Sequence, residues 1–283
     1  MKAPLLIRQA FPMRPSDVHK YLVGTVAVVG GSECYPHAPV IAALGARSGG
    51  AGLVRLVVPD VSRYAAGALV PESTLARLGA RFELPPCEVA VAGMGLGRNR
   101  TAGSVVAKLL ASEVVRLVLD ADALAVLARR GRGVGVGREL VVTPHEGEAA
   151  RLLGCTREEV AADRRSAACE LAGRYGATVV LKGERTLVVS SDAKRVYENR
   201  AGNPFMALGG MGDLLAGVIG ARWAYLKGDA FVAAAGGVWL HSAASDGLVA
   251  AKGDPSLVNT AARIGSLRVR MELAGFSKKG ETK

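Results

Sequence analysis

The stretch TVAVVGGSECYPHAPVIAALGARSGGAGLVRLVVP, residues 25–59, changes its pattern twice within one short unit. Residues 25–31 form an apolar run that ends in glycines, which is typical of a buried strand followed by a turn. The small residues of 39–52 indicate a helix with a glycine stop, and residues 53–59 indicate a second buried strand. A strand, a helix and a strand in this order predict a crossover unit of a parallel sheet.

The same alternation continues along the chain and predicts the fold class. We expect an α/β protein with a doubly wound, mostly parallel central sheet and helices on both faces. Residues 177–199 have a hairpin-like pattern, which predicts antiparallel strands at one edge of the sheet. Further strands are predicted at 88–95, 114–124, the start of 139–154, 177–183, 186–190 and 194–199. Further helices are predicted at 104–112, the end of 139–154, 158–176, 212–226, 229–245 and within 255–274.

The composition allows one large domain. The chain has 283 residues, of which 50% are hydrophobic and 5% aromatic, so it can bury a substantial core made of small apolar side chains. No linker or change of composition divides it, and we predict a single domain over residues 21–275. Residues 1–20, with prolines at positions 4, 12 and 15, predict an irregular N-terminal arm, and residues 276–283 predict a basic tail.

The formal net charge of +11 comes mostly from scattered arginines. The densest cluster, RRGRGVGVGR at 129–138, has no interleaved aromatic residues, and this favours a solvated loop over a nucleic-acid surface. We therefore predict no nucleic-acid partner. A positive field would instead attract polyanionic small molecules such as nucleotides.

The cysteines and the apolar segments indicate the cellular compartment of the protein. The four cysteines have no close paired spacing and no nearby histidine pattern, which argues against a zinc site and for a reduced setting. The sequence shows no signal peptide and no long uninterrupted apolar span. We therefore predict a cytoplasmic protein without a membrane partner.

Several polar residues and glycines follow predicted strands that are far apart in the sequence. They are Gly30, Gly95, Asp120, His145 and Lys182. In open α/β sheets, ligands bind beyond the carboxyl ends of the strands. The architecture therefore predicts that these residues meet on one rim of the sheet.

The segment GGMGD, residues 209–213, combines a glycine loop, an acidic residue and the start of a predicted helix. The backbone N–H groups around Gly210, Met211 and Gly212 could hold an anion with the help of the helix dipole. The alternative is a plain helix entry with Asp213 in the first turn. A carboxylate beside a phosphate site becomes useful when the nucleophile is a hydroxyl, because Asp213 can accept its proton during phosphoryl transfer.

Two other motifs have both a functional and a structural interpretation. In LKGERT (181–186), Lys182 could contact a phosphate, or it could be an exposed turn lysine. In TPHEGE (143–148), Thr143 and Glu146 fit a capping box at the start of a helix. That account leaves His145 unexplained, so His145 is a candidate ligand contact.

The motif LDADAL, residues 119–124, places two carboxylates at the end of a strand. Asp120 and Asp122 could hold Mg²⁺ through water. Capping of the following helix by one of them is the alternative.

Taken in order, seven motifs resemble the NAD(P)H-hydrate dehydratase family, a branch of the ribokinase-like superfamily. They are VAVVGGS, GGAGLV, AGMGLG, LDADAL, TPHEGEAARLLG, VVLKG and GNPFMALGGMGDLLAGVI. The resemblance extends from about residue 20 to residue 245. It implies a ribokinase-like fold and a lyase that repairs the S-form of NADHX or NADPHX, the hydrated forms of NADH and NADPH. The enzyme would use ADP or ATP as cosubstrate, with Mg²⁺ bridging the phosphates, to phosphorylate the ring hydroxyl before phosphate leaves.

The resemblance also implies roles for individual residues. Asp213 would be the catalytic base and contact the hydrated dinucleotide, and residues 210–212 would form the anion hole. The nucleotide site would further include Lys182, Gly183, Glu184, Arg185 and Thr186. The hydrated dinucleotide would contact Ala38, Gly95 and His145. A homo-oligomer, a tetramer in many relatives, is implied as well, and we expect the chain to lack the epimerase domain that many relatives carry.

Three positions depart from the family pattern. Met211 replaces a usual Thr or Ser, Met94 replaces a usual Pro, and Glu146 replaces the Pro of TPHPGE. None of the three removes a proposed reacting group. Two other functions compete with the dehydratase: a ribokinase-like kinase of a sugar or of hydroxymethylpyrimidine, and a nucleotide-binding sensor without catalysis.

Overall fold

The computed structural model of the protein describes residues 3–79, 82–114, 116–131 and 138–274. Within these residues the chain forms one nine-stranded sheet with the strand order β3-β2-β1-β4-β5-β6-β7-β8-β9. The strands are β1 (Thr25–Val29), β2 (Leu53–Val58), β3 (Thr74–Arg77), β4 (Val89–Ala92), β5 (Arg116–Leu119), β6 (Glu139–Val142), β7 (Ala177–Leu181), β8 (Leu187–Val189) and β9 (Val196–Glu198). Neighbouring strands from β3 to β7 pair in parallel, and β8 and β9 are antiparallel.

Helices cover both faces of this sheet. They are α1 (Leu5–Gln9), α2 (Lys20–Val23), α3 (Ala38–Gly49), α4 (Arg63–Leu69), α5 (Arg100–Ala111), α6 (Asp122–Arg130), α7 (Glu146–Leu153), α8 (Arg157–Ala162), α9 (Arg164–Tyr175), α10 (Met211–Leu226), α11 (Ala230–Ala250) and α12 (Leu257–Ala274). One face packs mainly against α3, α10 and α11, and the other against α5, α6, α7 and α9. Alternate residues of each strand point to opposite faces, and strands such as β1 are buried at every position.

The helices α3 and α10 touch at backbone distance through glycines. A Cβ atom added at Gly45 would overlap the carbonyl group of Leu214, and one added at Gly217 would overlap the carbonyl oxygen of Ala42. Only glycine allows so close an approach. The contact fixes α10 relative to the sheet, and with it the position of the N-terminus of α10 at the rim.

A buried arginine joins the two ends of the described chain to this helix pair. Arg222 of α10 has no exposed side-chain surface and donates hydrogen bonds to Ala10 O (2.7 Å), Gly49 O (3.1 Å) and Glu272 Oε1 (2.8 Å). Its guanidinium carbon also lies 4.7 Å from the centroid of the Phe11 ring. Burial lowers the pKa of Arg222 to about 10, so the side chain remains a cation at neutral pH.

The predicted fold class is confirmed: the sheet is doubly wound and mostly parallel, with antiparallel strands at one edge. The sequence missed β3 and α4, whose residues are partly exposed and lack a clean hydrophobic period. The prediction that residues 1–20 are irregular is wrong, because Leu5–Gln9 is helical and buries Ile7. The proposed domain boundaries stay a prediction. The basic tail and most of the 129–138 loop lie outside the described residues.

No helix in the described part of the chain is long and apolar enough to cross a membrane.

The arginine cluster leads to a stability prediction. We expect Glu272→Ala to lower the free energy of unfolding by about 3–5 kcal/mol, because it leaves the buried Arg222 without its countercharge. Glu272 also pairs with Arg14 and Arg268, so three cations would lose the carboxylate between them. Urea denaturation measures the change. The control is Glu170→Ala, which removes an exposed helical pair with Arg174 and should cost less than about 1 kcal/mol. Equal losses in the two variants would contradict the prediction.

Candidate active site

The five strands β1, β4, β5, β6 and β7 are neighbours, and each ends at the same rim of the sheet. Gly30 follows β1, Gly95 lies three residues after β4, and Asp120 follows β5 directly. His145 and Lys182 lie just beyond β6 and β7 and form an isolated parallel bridge with each other. The residues that the sequence placed at strand ends are thus brought together.

Lys182 is the cation at the centre of this rim. Its Nζ donates a hydrogen bond to Asp120 Oδ1 at 2.8 Å and lies 3.8 Å from Glu148 Oε2. The side chain is only 20% exposed, and that of Asp120 is 2% exposed. Burial alone would lower the pKa of Lys182, but Asp120, Glu148 and Asp213 outweigh it and raise the pKa. Lys182 is therefore a cation, and the interpretation as an exposed turn lysine is wrong.

Asp213 is half-buried in the first turn of α10, next to this lysine. The pKa of Asp213 is raised to about 7, mainly by burial and next by the like charge of Asp120, whereas Lys182 opposes the shift. Glu148 and Asp122 add smaller repulsions of the same kind. A carboxyl group with this pKa can release and accept a proton near neutral pH, which suits a general base.

The N-terminus of α10 offers backbone donors beside Asp213. Gly210 precedes the helix with a φ of 89°, a left-handed conformation that favours glycine. The N–H groups of Gly210, Gly212 and Asp213 have no hydrogen-bond acceptor among the described residues. A helix N-terminus with free N–H groups is an anion-binding arrangement. Gly212 also brings its backbone against Lys182, because a Cβ added there would lie 3.4 Å from Lys182 Nζ.

The structure assigns the cap of α7 to His145 rather than Thr143. His145 Nδ1 accepts hydrogen bonds from the N–H groups of Gly147 (3.0 Å) and Glu148 (3.3 Å), and Glu148 Oε2 accepts one from His145 N at 2.9 Å. The predicted capping box of Thr143 and Glu146 is wrong, because Thr143 N still pairs with Leu119 O of the neighbouring strand. With Nδ1 occupied as an acceptor, a neutral His145 carries its proton on Nε2. Its side chain is 61% exposed, so this Nε2 remains accessible to a ligand.

The turn after β7 is held by an ion pair that the sequence did not reveal. Arg164 Nη1 lies 2.6 Å from Glu146 Oε1, and its Nη2 donates to the carbonyl groups of Leu181, Lys182 and Arg185. Glu146, which stands where the family pattern has Pro, therefore helps to shape the Lys182–Thr186 turn. Spacing along the chain could not show this pair, since its members lie on different helices.

A cavity of about 640 Å³ opens beside Met211 and Gly212 at the start of α10. Four of the five predicted turn residues line it, while Arg185 instead pairs with Glu198 at a distance of 3.6 Å. The full lining is Lys182, Gly183, Glu184, Thr186, Ala201, Gly202, Asn203, Pro204, Met206, Ala207, Met211, Gly212, Leu215, Val238, His241 and Ser242. The sequence missed the contribution of α11, because His241 and Ser242 sit inside an apolar helical pattern.

Ala38 and Gly95 are neighbours at the opposite part of the rim. Gly95 has a φ of 69° and is buried, and a Cβ added to it would lie 3.2 Å from Ala38 Cβ and 2.8 Å from Tyr35 O. This close contact joins the loops after β1 and β4. Both residues lie on the rim that also carries Asp120 and His145, and their contact with a substrate stays a prediction.

Asp120 and Asp122 face different partners. Asp120 accepts the hydrogen bond of Lys182, whereas Asp122 accepts one from Gly97 N at 2.9 Å and pairs with Arg98 at 3.2 Å. Within the described ranges, no three His, Cys, Asp or Glu side chains are grouped to hold a metal ion. Coordination of Mg²⁺ through water by Asp120 and Asp122 stays a prediction.

The fold and the rim define the class of protein first. A ribokinase-like superfamily protein from Enterococcus faecalis superposes with a TM-score of 0.79 at 26% identity, covering 94% of this chain and 94% of that one. An ADP/ATP-dependent NAD(P)H-hydrate dehydratase from Bacillus subtilis, crystallised with ATP and Mg²⁺, has a TM-score of 0.83 at 26% identity, with 94% and 96% covered. The chain therefore has the ribokinase-like fold.

The family follows from the sequence match. The model of the NAD(P)H-hydrate dehydratase family matches residues 26–264. The ADP-dependent (S)-NAD(P)H-hydrate dehydratase of Neisseria meningitidis is 40% identical over 251 residues, which cover 87% of this chain and 84% of that protein. The chain belongs to the NAD(P)H-hydrate dehydratase family. It spans about half the length of the bifunctional NAD(P)H-hydrate repair enzymes that it also matches.

The raised pKa of Asp213 leads to a stability prediction with a defined sign. The folded protein keeps this proton up to about pH 7, whereas the unfolded chain releases it near 3.8. The carboxylate therefore destabilises the fold increasingly as the pH rises from about 4 to about 7. We expect Asp213→Asn to raise the free energy of unfolding by about 1–3 kcal/mol at pH 8, and this gain should vanish toward pH 4.

Urea denaturation of both proteins across this pH range measures the difference. The control is Asp192→Asn, because hydrogen bonds from Ser190 and Lys194 N lower the pKa of Asp192. That variant should lose stability rather than gain it at pH 8. A gain for Asp213→Asn that does not depend on pH would contradict the assignment.

Proposed function

We propose that this protein is a nucleotide-dependent dehydratase that converts the S-form of hydrated NADH or NADPH back to NADH or NADPH. The observation that carries the proposal is the position of Asp213. Its carboxyl group, with a pKa of about 7, lies next to free N–H groups at the start of α10 and to the buried cation Lys182. The names of the Neisseria and Bacillus relatives support the same reaction.

Phosphorylation solves the chemical problem of this reaction. Hydroxide is a poor leaving group and phosphate is a good one. Asp213 would accept the proton of the ring hydroxyl. The hydroxyl oxygen would form a bond to the terminal phosphorus of ADP or ATP while the bond from that phosphorus to the bridging oxygen breaks. The lone pair of the ring nitrogen then expels phosphate, and loss of a proton from the adjacent ring carbon restores the dihydronicotinamide.

The residues at the rim of the sheet would have different roles in binding and catalysis. The free N–H groups of Gly210, Gly212 and Asp213 and the charge of Lys182 would stabilise the negative charge on the migrating phosphoryl group. The backbone amides can do this without the hydroxyl that Met211 replaces. His145, whose Nε2 is left as a donor, and the Ala38–Gly95 contact would hold the hydrated dinucleotide. Mg²⁺ would neutralise charge on the phosphates when it is bound with the nucleotide.

The location, the oligomeric state and the partners of the protein stay proposals. We propose a cytoplasmic location, a homo-oligomer such as a tetramer, and small molecules rather than nucleic acid as partners. The scattered positive charge agrees with an anionic cosubstrate but selects no particular one.

We predict dehydratase activity on hydrated NADH, which an absorbance assay measures. Incubation of hydrated NADH with Mg²⁺ and either ADP or ATP should restore the absorbance of reduced nicotinamide. Asp213→Asn should lower the rate by about 10²- to 10⁴-fold, since it removes the base. The control Asp192→Asn, which changes an exposed carboxylate, should keep the wild-type rate.

The products distinguish the alternatives. Accumulation of a phosphoester of a sugar or of hydroxymethylpyrimidine, without recovery of reduced nicotinamide, would indicate a kinase. Equal nucleotide binding by the wild type and Asp213→Asn, with no turnover by either, would indicate a sensor. Either result would contradict the proposed function.

The pH dependence follows from the same carboxyl group. We expect kcat/KM to rise with pH and to level off above about 7, because Asp213 must be deprotonated in the free enzyme. Glu148→Gln should move this limb to lower pH, since the substitution removes a like charge that raises the pKa of Asp213. Glutamine can still serve in the capping box of α7. A profile that is flat between pH 5.5 and 8.5 would exclude Asp213 as the titrating base.

A further inference from the structure

Arg164, the first residue of α9, contacts the turn that follows β7 through three carbonyl groups. Its Nη2 donates hydrogen bonds to Leu181 O at 3.1 Å and to Lys182 O and Arg185 O at 3.3 Å each. Its Nη1 donates to Glu146 Oε1 at 2.6 Å. One guanidinium group therefore connects the start of α7 with the backbone of the turn, which the planar fork of arginine donors permits.

The position of this guanidinium group is fixed on every side. A Cβ atom added at Gly183 would lie 2.2 Å from Arg164 Nη1, so the turn and the side chain are in direct contact. The side chains of Arg164 and Glu146 are 21% and 20% exposed, and a pair this far from water is screened less than a surface pair. Asp163 caps α9 by accepting a hydrogen bond from Ser166 N at 2.9 Å, which holds the backbone from which Arg164 extends.

The other side of the turn forms a wall of the 640 Å³ cavity. Lys182, Gly183, Glu184 and Thr186 belong to the lining, whereas Arg164 does not. The N–H groups of Gly183 and Glu184 have no acceptor in the part of the chain that the structure describes. Because the carbonyl groups of the turn are engaged by a side chain outside the cavity wall, the turn is suited to an anion on its cavity side.

The same turn carries the buried cation of the rim. The N–H group of Lys182 donates to Pro144 O at 2.8 Å, and its carbonyl group accepts from Arg164, so the backbone of this residue is bonded on both sides. Its Nζ donates to Asp120 Oδ1 at 2.8 Å. A shift of the turn would therefore move the cation relative to Asp120 and to Asp213 at the start of α10.

We propose that Arg164 is a positioning residue for the nucleotide cosubstrate. It holds the Lys182–Thr186 turn in the conformation that receives the phosphate groups, and Glu146 anchors it there. Arg164 acts only through the turn, because it is not part of the cavity lining. The inference rests on the proposed function, since it takes the anion at this turn to be ADP or ATP. The carboxylate anchor is particular to this chain, because Glu146 stands where the family pattern has Pro.

The test measures the turn itself and its affinity for ADP. We expect Arg164→Met to raise the Kd of ADP in calorimetry by about 10- to 100-fold, because a displacement of about 1 Å in a positioned group has effects of this order. Hydrogen exchange followed by mass spectrometry should show faster exchange of residues 182–187 in this variant, while the buried strand β1 should exchange as in the wild type.

Two further variants separate positioning from general stability. Arg157→Met is the matched control, because Arg157 pairs with the same Glu146 carboxylate at 3.3 Å but is 69% exposed and bonds to no carbonyl group of the turn among the described residues. It should bind ADP as the wild type does. Arg164→Lys keeps the charge for Glu146 but lacks the fork that reaches three carbonyl groups. It should regain the thermal stability that Arg164→Met loses, and its affinity for ADP should stay low.

The kinetic parameters give a second readout. In the absorbance assay, Arg164→Met should raise the KM for ADP and leave the KM for hydrated NADH unchanged, because Arg164 bonds to the turn and not to the Ala38–Gly95 part of the rim. Glu146→Gln should weaken ADP binding less than Arg164→Met does, since the three bonds from Arg164 to the turn remain.

Each other outcome overturns the inference in a recognisable way. If the wild type binds no ADP, the proposed function fails and the inference fails with it. If the wild type binds ADP and Arg164→Met binds it equally well, only the inference fails. If Arg164→Lys recovers affinity together with stability, Arg164 supplies a charge and does not position the turn. If Arg164→Met raises the KM for hydrated NADH alone, the ion pair acts on His145 at the start of α7 instead.

Discussion

The contact between α3 and α10 is the constraint on which the site depends. Gly45 and Gly217 let the two helices meet at backbone distance, and no larger side chain fits between them. A helix held this closely cannot slide along its axis without loss of packing. Its N-terminus, with Asp213 and the free N–H groups, is therefore held at the rim where Lys182 and Asp120 follow their strands.

The crowded carboxylates at this rim destabilise the fold, but they give Asp213 a pKa that suits a general base. Lys182 is the cation nearest to Asp120, Glu148 and Asp213, and three carboxylates compete for it. The competition and the burial keep the pKa of Asp213 near neutrality, where a base is most useful. A protein selected only for stability would not hold an acidic side chain in such a place. The buried Arg222–Glu272 pair, near the C-terminal ends of α10 and α12, shows the other solution, in which a buried charge has several partners.

Two of the three departures from the family pattern are accommodated by their surroundings. Glu146 pairs with Arg164, which in turn holds three carbonyl groups of the turn after β7. Met94 is completely buried and contributes to the core. Met211 lines the cavity beside Gly212 and Leu215. The proposed nucleotide site thus combines backbone groups, which do not depend on side-chain identity, with side chains particular to this chain.

Much of the architecture was readable from local patterns. Apolar runs that end in glycine, proline or acidic residues identified β1, β2 and β4 to β7, and the order of these strands and helices was enough for the fold class and the rim. The tertiary structure decided what local patterns do not contain. The N-cap of α7 moved from Thr143 to His145 because Thr143 pairs with the neighbouring strand. The pKa of Asp213 depends on burial and on charges from three other segments, which carry Asp120 and Asp122, Glu148, and Lys182. The bonds from Arg164 to Glu146 and to the turn after β7 became visible only when α7 and α9 were packed beside that turn. Hydrophobic period and glycine position act over a few residues, whereas burial and electrostatic coupling depend on segments far apart in the chain.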